Sequence, residues 1–217
     1  MPNTLNLGAW LAKNDGRVSE PDLVIVGGGI AGGALAIVMA RAGTSVLVLE
    51  RQSEYRDHVR GEILWPWGVR TARLLGIESE LLDAGALVIR WLDTYDEGAD
   101  GPTGLDVGAV IDGINGSLNL THPTACAALG EAAAAAGATV RMGVQQVRVS
   151  PGKQPLVRWV AGNGERQEAR CKFIVGADGR RSSVRSQAAI PFEVDSPAHL
   201  IAGLLAEGVE EMPEMST

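Results

Sequence analysis

The sequence predicts an α/β fold, a parallel sheet covered by helices and followed by a small antiparallel meander, and three neighbouring stretches carry that prediction. Leu23–Val26 is apolar at every position, as a strand covered on both faces requires. It runs directly into Gly27, Gly29 and Gly32 at G-x-G-x-x-G spacing, and then into a helix-compatible segment that stops at Gly43. Residues 44–49 supply a second apolar strand, closed by Glu50 at 23 residues beyond Gly27.

In a strand, turn, helix, strand unit of this kind each glycine has its own task. Gly27 permits the tight turn, Gly29 lets a pyrophosphate approach the backbone, and Gly32 lets the helix lie close to the strand. Ile30 and Ala31 open the helix, whose unpaired N–H groups and positive end attract phosphate. Glu50 stands where an acid accepts hydrogen bonds from a ribose, so residues 22–51 read as a Rossmann-like dinucleotide site. The competing reading is a glycine-rich turn that binds nothing. The 18 uncharged residues 23–40 reach the lower length of a membrane span, but five of them are glycines, which weaken a helix and suit the turn.

Composition narrows the function classes. A net charge of −7 with only three lysines argues against a nucleic-acid partner. Residues 1–21 have no long apolar core behind a basic start and read as a loose leader, not a secretory signal. Cys126 and Cys171 lie far apart without metal-ligand spacing, which favours free thiols in a reducing cytoplasm and gives no metal site.

Beyond Glu50 the regular alternation stops. Residues 51–67 are rich in charge and tryptophan, and a short helix is expected over 68–75. Arg60 can pair with a phosphate and Gly61 can let the backbone pass close to a ring; an exposed charged loop is the alternative. Trp65 and Trp67, on either side of Pro66, are expected to anchor this loop in the core. Short apolar pieces between glycines and aspartates over 87–120 predict inserted strands and turns. An alanine-rich helix spans 123–136, with Thr121 or His122 near its start and Gly137 as its stop. Strands are expected at 139–149, 155–160 and 167–172, the last two joined by a turn at 162–164.

Residues 173–175 form one more apolar strand and end in GADGRRSSVR, 176–185. An Asp before a Gly at a strand's end lets the Asp178 carboxylate face a ligand while the chain turns at Gly179, and Ser182 is placed to cap the next helix. Read alone, Ala-Asp-Gly is a common turn and the arginines a solvated helix face.

Taken in order, GGGIAGGALA with Glu50-Arg51, the Arg60-Gly61 segment, the helix-Gly-Ala-Thr-Val run at 128–140 and GADGRRSSVR resemble the flavin-dependent monooxygenases of the para-hydroxybenzoate hydroxylase type over about residues 22–192. The resemblance implies an FAD-binding domain with the start of an inserted substrate domain at 193–217, its first strand at 200–206. It implies NAD(P)H as electron donor and a small organic substrate. Gly27, Gly29, Ile30, Ala31, Gly32, Glu50, Arg51, Arg60, Gly61, His122, Val147, Asp178 and Gly179 become the cofactor-binding positions, and no side chain is assigned as acid or base. His122 stands where the family usually carries Arg or Gln. The Gly-Asp dipeptide of the family's third motif occurs nowhere in the chain, so an N-terminal part of a longer enzyme, or a non-catalytic FAD- or ADP-binding fragment, is expected. Trp65-Pro66-Trp67-Gly68 is similar to the Trp-x-Trp-x-Ile-Pro motif of flavin halogenases, with Val69 and Arg70 in place of Ile and Pro.

Overall fold

The computed structural model describes residues 20–57, 63–94, 98, 100–196 and 198. The chain opens with β1 (Leu23–Val26), α1 (Ile30–Arg41) and β2 (Val46–Leu49). There follow β3 (Ile63–Leu64), α2 (Pro66–Leu74), α3 (Glu78–Asp83), β4 (Leu87–Ile89), β5 (Trp91–Thr94), β6 (Thr103–Asp106) and β7 (Ser117–Asn119). It continues with α4 (His122–Ala135), β8 (Thr139–Arg141), β9 (Gln145–Ser150), β10 (Leu156–Val160), β11 (Arg166–Arg170), β12 (Phe173–Gly176) and α5 (Ser183–Gln187). The described residues form two compact units: those up to Tyr55 together with Cys126–Val194, and Arg56–Ala125 together with those from Asp195 onward.

The first unit is built on a parallel sheet in the order β12-β1-β2-β8. Every residue of β1 and β2 is buried, which is why both read as unbroken apolar runs. At the end of the sheet where β1 begins, the Asp22 carboxylate accepts from the Ser45 N–H at 3.1 Å and pairs with Lys172 at 2.6 Å, tying the approaches to β1, β2 and β12. Pro21, placed by the sequence in a loose leader, is fully buried beside it. The small residues of α1 permit close packing: a Cβ on Gly33 would stand 2.9 Å from the Cβ of Leu129 in α4.

The meander is antiparallel in the order β11-β10-β9, as its turn signals predict. Its inward residues Val149, Val157, Trp159 and Ala169 meet Val24, Val26, Leu47 and Leu49 of the parallel sheet in one core, closed by Val144 and Val184. Burying each such valine or leucine contributes about 1.5–3 kcal/mol before entropy is counted.

The single strand expected over 139–149 is two strands in different sheets. β8 pairs with β2, the chain leaves at Gly143, and β9 pairs with β10. Gly143 has φ +71°, and the Gly143 and Val144 N–H groups donate to the Gln52 and Glu50 carbonyls, so the break is stitched to the segment after β2. The apolar positions change phase across the adjacent Gln145 and Gln146, from Val140 and Val144 to Val147 and Val149, which marks the change of sheet.

In the second unit β4 and β3 flank β7, and β5 pairs with β6, so the inserted strands expected over 87–120 are present. Its first helix starts at Pro66, two residues earlier than expected, because Pro at N1 lacks only an N–H that has no helical partner there. Trp65 and Trp67 do not anchor the loop in the core. They stack on each other with centroids 5.6 Å apart, and Trp67 is 58% exposed. Among the described residues no helix is long and apolar enough to cross a membrane. Residues 200–206 lie outside the described residues.

Gly33→Val is expected to lower unfolding free energy by about 1–3 kcal/mol in urea titration, because overpacking forces α1 and α4 apart. An unchanged midpoint would show that the helices do not meet at this glycine.

Candidate functional site

β1 ends at Val26 and the chain reverses through the glycine turn. Gly27 has φ +104°, and a Cβ there would run into the Ala177 carbonyl; a Cβ on Gly32 would run into the Gly27 carbonyl. Those two glycines serve the protein's own packing. Gly29 differs: its φ of −70° suits any residue, and beyond its own neighbours along the chain nothing lies within 4 Å of the position its Cβ would take. The backbone is bare where nothing in the fold demands it. Gly29 is also the N-cap of α1 and no side chain caps that end, with Ile30 half-buried and Ala31 exposed. An open glycine at an uncapped helix start fits a phosphate.

Glu50 stands immediately after β2, as its spacing predicts, but it is no solvated strand end. It is only 8% exposed; Oε2 accepts from the Gly28 N–H at 2.7 Å and Oε1 from the Gln52 N–H at 2.7 Å. Each carboxylate oxygen keeps a second lone pair for a ribose hydroxyl. Arg51 is exposed.

Tyr55 is the residue that spacing alone missed. Its hydroxyl donates to the Gly28 carbonyl at 2.6 Å, so Gly28 is held through its N–H by Glu50 and through its C=O by Tyr55. Burial, followed by the Glu50 charge, holds the Tyr55 phenol well above the usual tyrosine range, so it remains a donor at neutral pH. Burial first and then the same charge push the Cys126 thiol up to about 12, against the Ile30 N–H, and it is an inert thiol at neutral pH. Neither Cys126 nor Cys171 is in a disulfide, as expected.

The second motif lies beside the first. The Ala177 N–H donates to the Val26 carbonyl at 2.7 Å, placing GADG at the carboxyl end of β12 next to the glycine turn at the carboxyl end of β1. The Asp178 carboxylate does not reach freely toward a ligand. Oδ2 accepts from the Ser183 N–H at 2.6 Å and the Val184 N–H at 3.2 Å, and Oδ1 accepts from the Ser182 hydroxyl. Ser182 in turn accepts from the Arg185 N–H at 3.0 Å, the cap its position predicts. Burial works to raise the Asp178 carboxyl, but the bonds from Ser182, Val184 and Ser183 outweigh it and hold its pKa below the ordinary aspartate value. Gly179, at φ +86° and exposed, makes the turn that lets Asp178 fold back onto α5.

The remaining candidates separate. Val147 is partly buried against the core, and its carbonyl accepts from the Gln187 side-chain amide at 3.3 Å. His122 is half-buried at the first position of α4. Arg60 and Gly61 lie outside the described residues.

Residues 20–212 match the family described as the FAD binding domain. The chain belongs to that family. Its likeness to the para-hydroxybenzoate hydroxylase type of flavoprotein extends to both motifs and to the fold. Squalene monooxygenase of Rattus norvegicus is 38% identical over 77 residues, 36% of this chain and 13% of the relative. The OxyS anhydrotetracycline hydroxylase from Streptomyces rimosus is 25% identical with a TM-score of 0.69, covering 82% of this chain and 35% of that one. The myxobacterial chondrochloren halogenase CndH is 27% identical with a TM-score of 0.65, covering 76% of this chain and 38% of that one. The chain thus spans little more than a third of these two solved structures and 13% of that curated relative.

FAD fits the residues present. The bare Gly29 backbone and the start of α1 suit its pyrophosphate, and the spare lone pairs of Glu50 suit its adenosine ribose.

Glu50→Gln replaces one acceptor by a donor facing a backbone N–H, so it is expected to cost about 1–3 kcal/mol of fold stability as well as FAD affinity. Urea titration that finds the variant as stable as the parent would contradict the buried double acceptor. For Asp178 the folded pKa lies below the unfolded value of about 3.9, so its contribution is complete above that value and is lost as pH falls through the folded pKa. Asp178→Asn is expected to lower melting temperature at pH 7 and to flatten its decline below about pH 4. Parallel pH profiles for parent and variant would show that Asp178 does not stabilise the turn.

Proposed function

We propose that the protein is an FAD-dependent oxidoreductase, a monooxygenase that uses NAD(P)H and oxygen to act on a small organic molecule. The observation that carries this reading is the bare, clamped glycine turn lying against the Asp178 turn at the carboxyl ends of β1 and β12. The likeness to a squalene monooxygenase and to an anhydrotetracycline hydroxylase supports monooxygenation over simple nucleotide binding.

Bound FAD supplies the redox chemistry, accepting reducing equivalents and delivering them to oxygen. The chain's own residues bind and orient it. Gly29 and the start of α1 receive the pyrophosphate, and Glu50 accepts from the ribose while holding Gly28 in place. Asp178 holds α5 to the end of β12, which fixes the second turn beside the first. No side chain among them is placed as an acid or base for the substrate. Cys126 and Cys171, neither of them in a disulfide, support a reducing compartment such as the cytoplasm.

The likeness to CndH supports a flavin-dependent halogenase as the second reading. A binding function without turnover is the third.

The absorption spectrum of the purified protein tests the cofactor, with a yellow flavin spectrum expected to survive desalting. A colourless protein that takes up no added FAD would overturn the reading. Anaerobic addition of NAD(P)H is expected to bleach the bound flavin, whereas flavin that neither nicotinamide reduces would contradict NAD(P)H as the electron donor of this chain. Gly29→Val is expected to abolish uptake of FAD, because its branched side chain fills the open space beside the turn. Calorimetry that finds parent-like affinity in this variant would move the phosphate elsewhere.

A further inference from the structure

Gly28 is buried, and the two side chains that hold it both follow β2. Glu50 takes its N–H, Tyr55 takes its C=O, and a Cβ at Gly28 would stand 2.9 Å from the Tyr55 hydroxyl and 3.0 Å from the Glu50 Cβ. The peptide bond is planar and trans, so the Gly28 C=O and the Gly29 N–H belong to one rigid unit and point in opposite directions. Whatever fixes that carbonyl fixes that N–H. Because glycine restricts neither of its own dihedrals, a run of three glycines has no intrinsic preference for one setting of this unit.

We propose that Tyr55 is a positioning residue for the pyrophosphate of the cofactor: by holding the Gly28 carbonyl it sets the Gly28–Gly29 peptide with the Gly29 N–H turned away from Tyr55 toward the phosphate. The inference rests on the FAD-binding reading of the glycine turn and adds to it a residue outside both motifs. Glu50 sets the preceding peptide unit through the Gly28 N–H, so the two side chains fix consecutive peptides of the same turn. The phenol donates throughout the working pH range, since burial and the Glu50 charge oppose its ionisation. Preorganisation of this kind removes an ordering cost that the ligand would otherwise bear.

Tyr55→Phe deletes the hydroxyl and keeps the ring. Competition titrations on the purified protein with ADP and with adenosine separate a pyrophosphate effect from a general one. ADP is expected to bind the variant about 2- to 13-fold more weakly, the loss of roughly one hydrogen bond, while adenosine affinity does not change. Unchanged ADP affinity, or equal weakening of ADP and adenosine, would overturn the positioning role and leave Tyr55 a packing residue. The parent offers a check that needs no variant: the Gly29 amide resonance is expected to move as ADP saturates, and a resonance that stays put under saturating ADP overturns the proposal. A parent that binds no ADP at all would instead overturn the nucleotide site on which the proposal rests.

Discussion

The bond from the Gly28 N–H to the buried Glu50 carboxylate is the constraint on which the site depends. Three consecutive glycines give the end of β1 freedom without direction, and a turn that binds phosphate must have its N–H groups already aimed. Glu50 supplies that direction from the end of the adjacent strand, and its other oxygen holds the Gln52 N–H so that the chain leaving β2 turns back over the glycines. From there Gln52 and Glu50 lend their carbonyls to Gly143 and Val144, where the chain changes from the parallel sheet to the meander. One buried acid thus connects the glycine turn to the point at which two sheets part.

The two motifs are joined by packing as well as by position. Gly27 lacks a Cβ because Ala177 occupies that place, and Ala177 reaches back to the Val26 carbonyl. Asp178 then spends its carboxylate on the first turn of α5, whose Val184 enters the core with Val24 and Val26. The aspartate of the second motif therefore holds the backbone of the turn in place. Its low pKa is a consequence of those bonds, since burial alone would have raised it.

Apolar runs and glycine spacing made the parallel sheet, the meander and the glycine turn legible in the sequence, because each is a local pattern with a local cause. Glu50 was legible in place and not in burial: spacing locates an acid after β2, whereas the two N–H groups that enclose it come from 22 residues earlier and two later. Tyr55 left only a faint mark, one aromatic residue five positions behind Glu50 in a charged segment. Trp65 and Trp67 misled for the opposite reason, since their size argues for burial and their mutual stacking covers part of that surface without a core. The break at Gly143 was legible in principle, because the Gln145-Gln146 pair shifts the inward positions from even in β8 to odd in β9.

Hydrogen–deuterium exchange of the protein with and without FAD tests the central claim most directly, because it reports on both turns and on the rest of the fold in one measurement. The account predicts that FAD slows exchange in residues 26–33, 50–55 and 176–185 and leaves the outer meander strands β10 and β11 unchanged. Slowing confined to the meander, or none in 26–33, would contradict it.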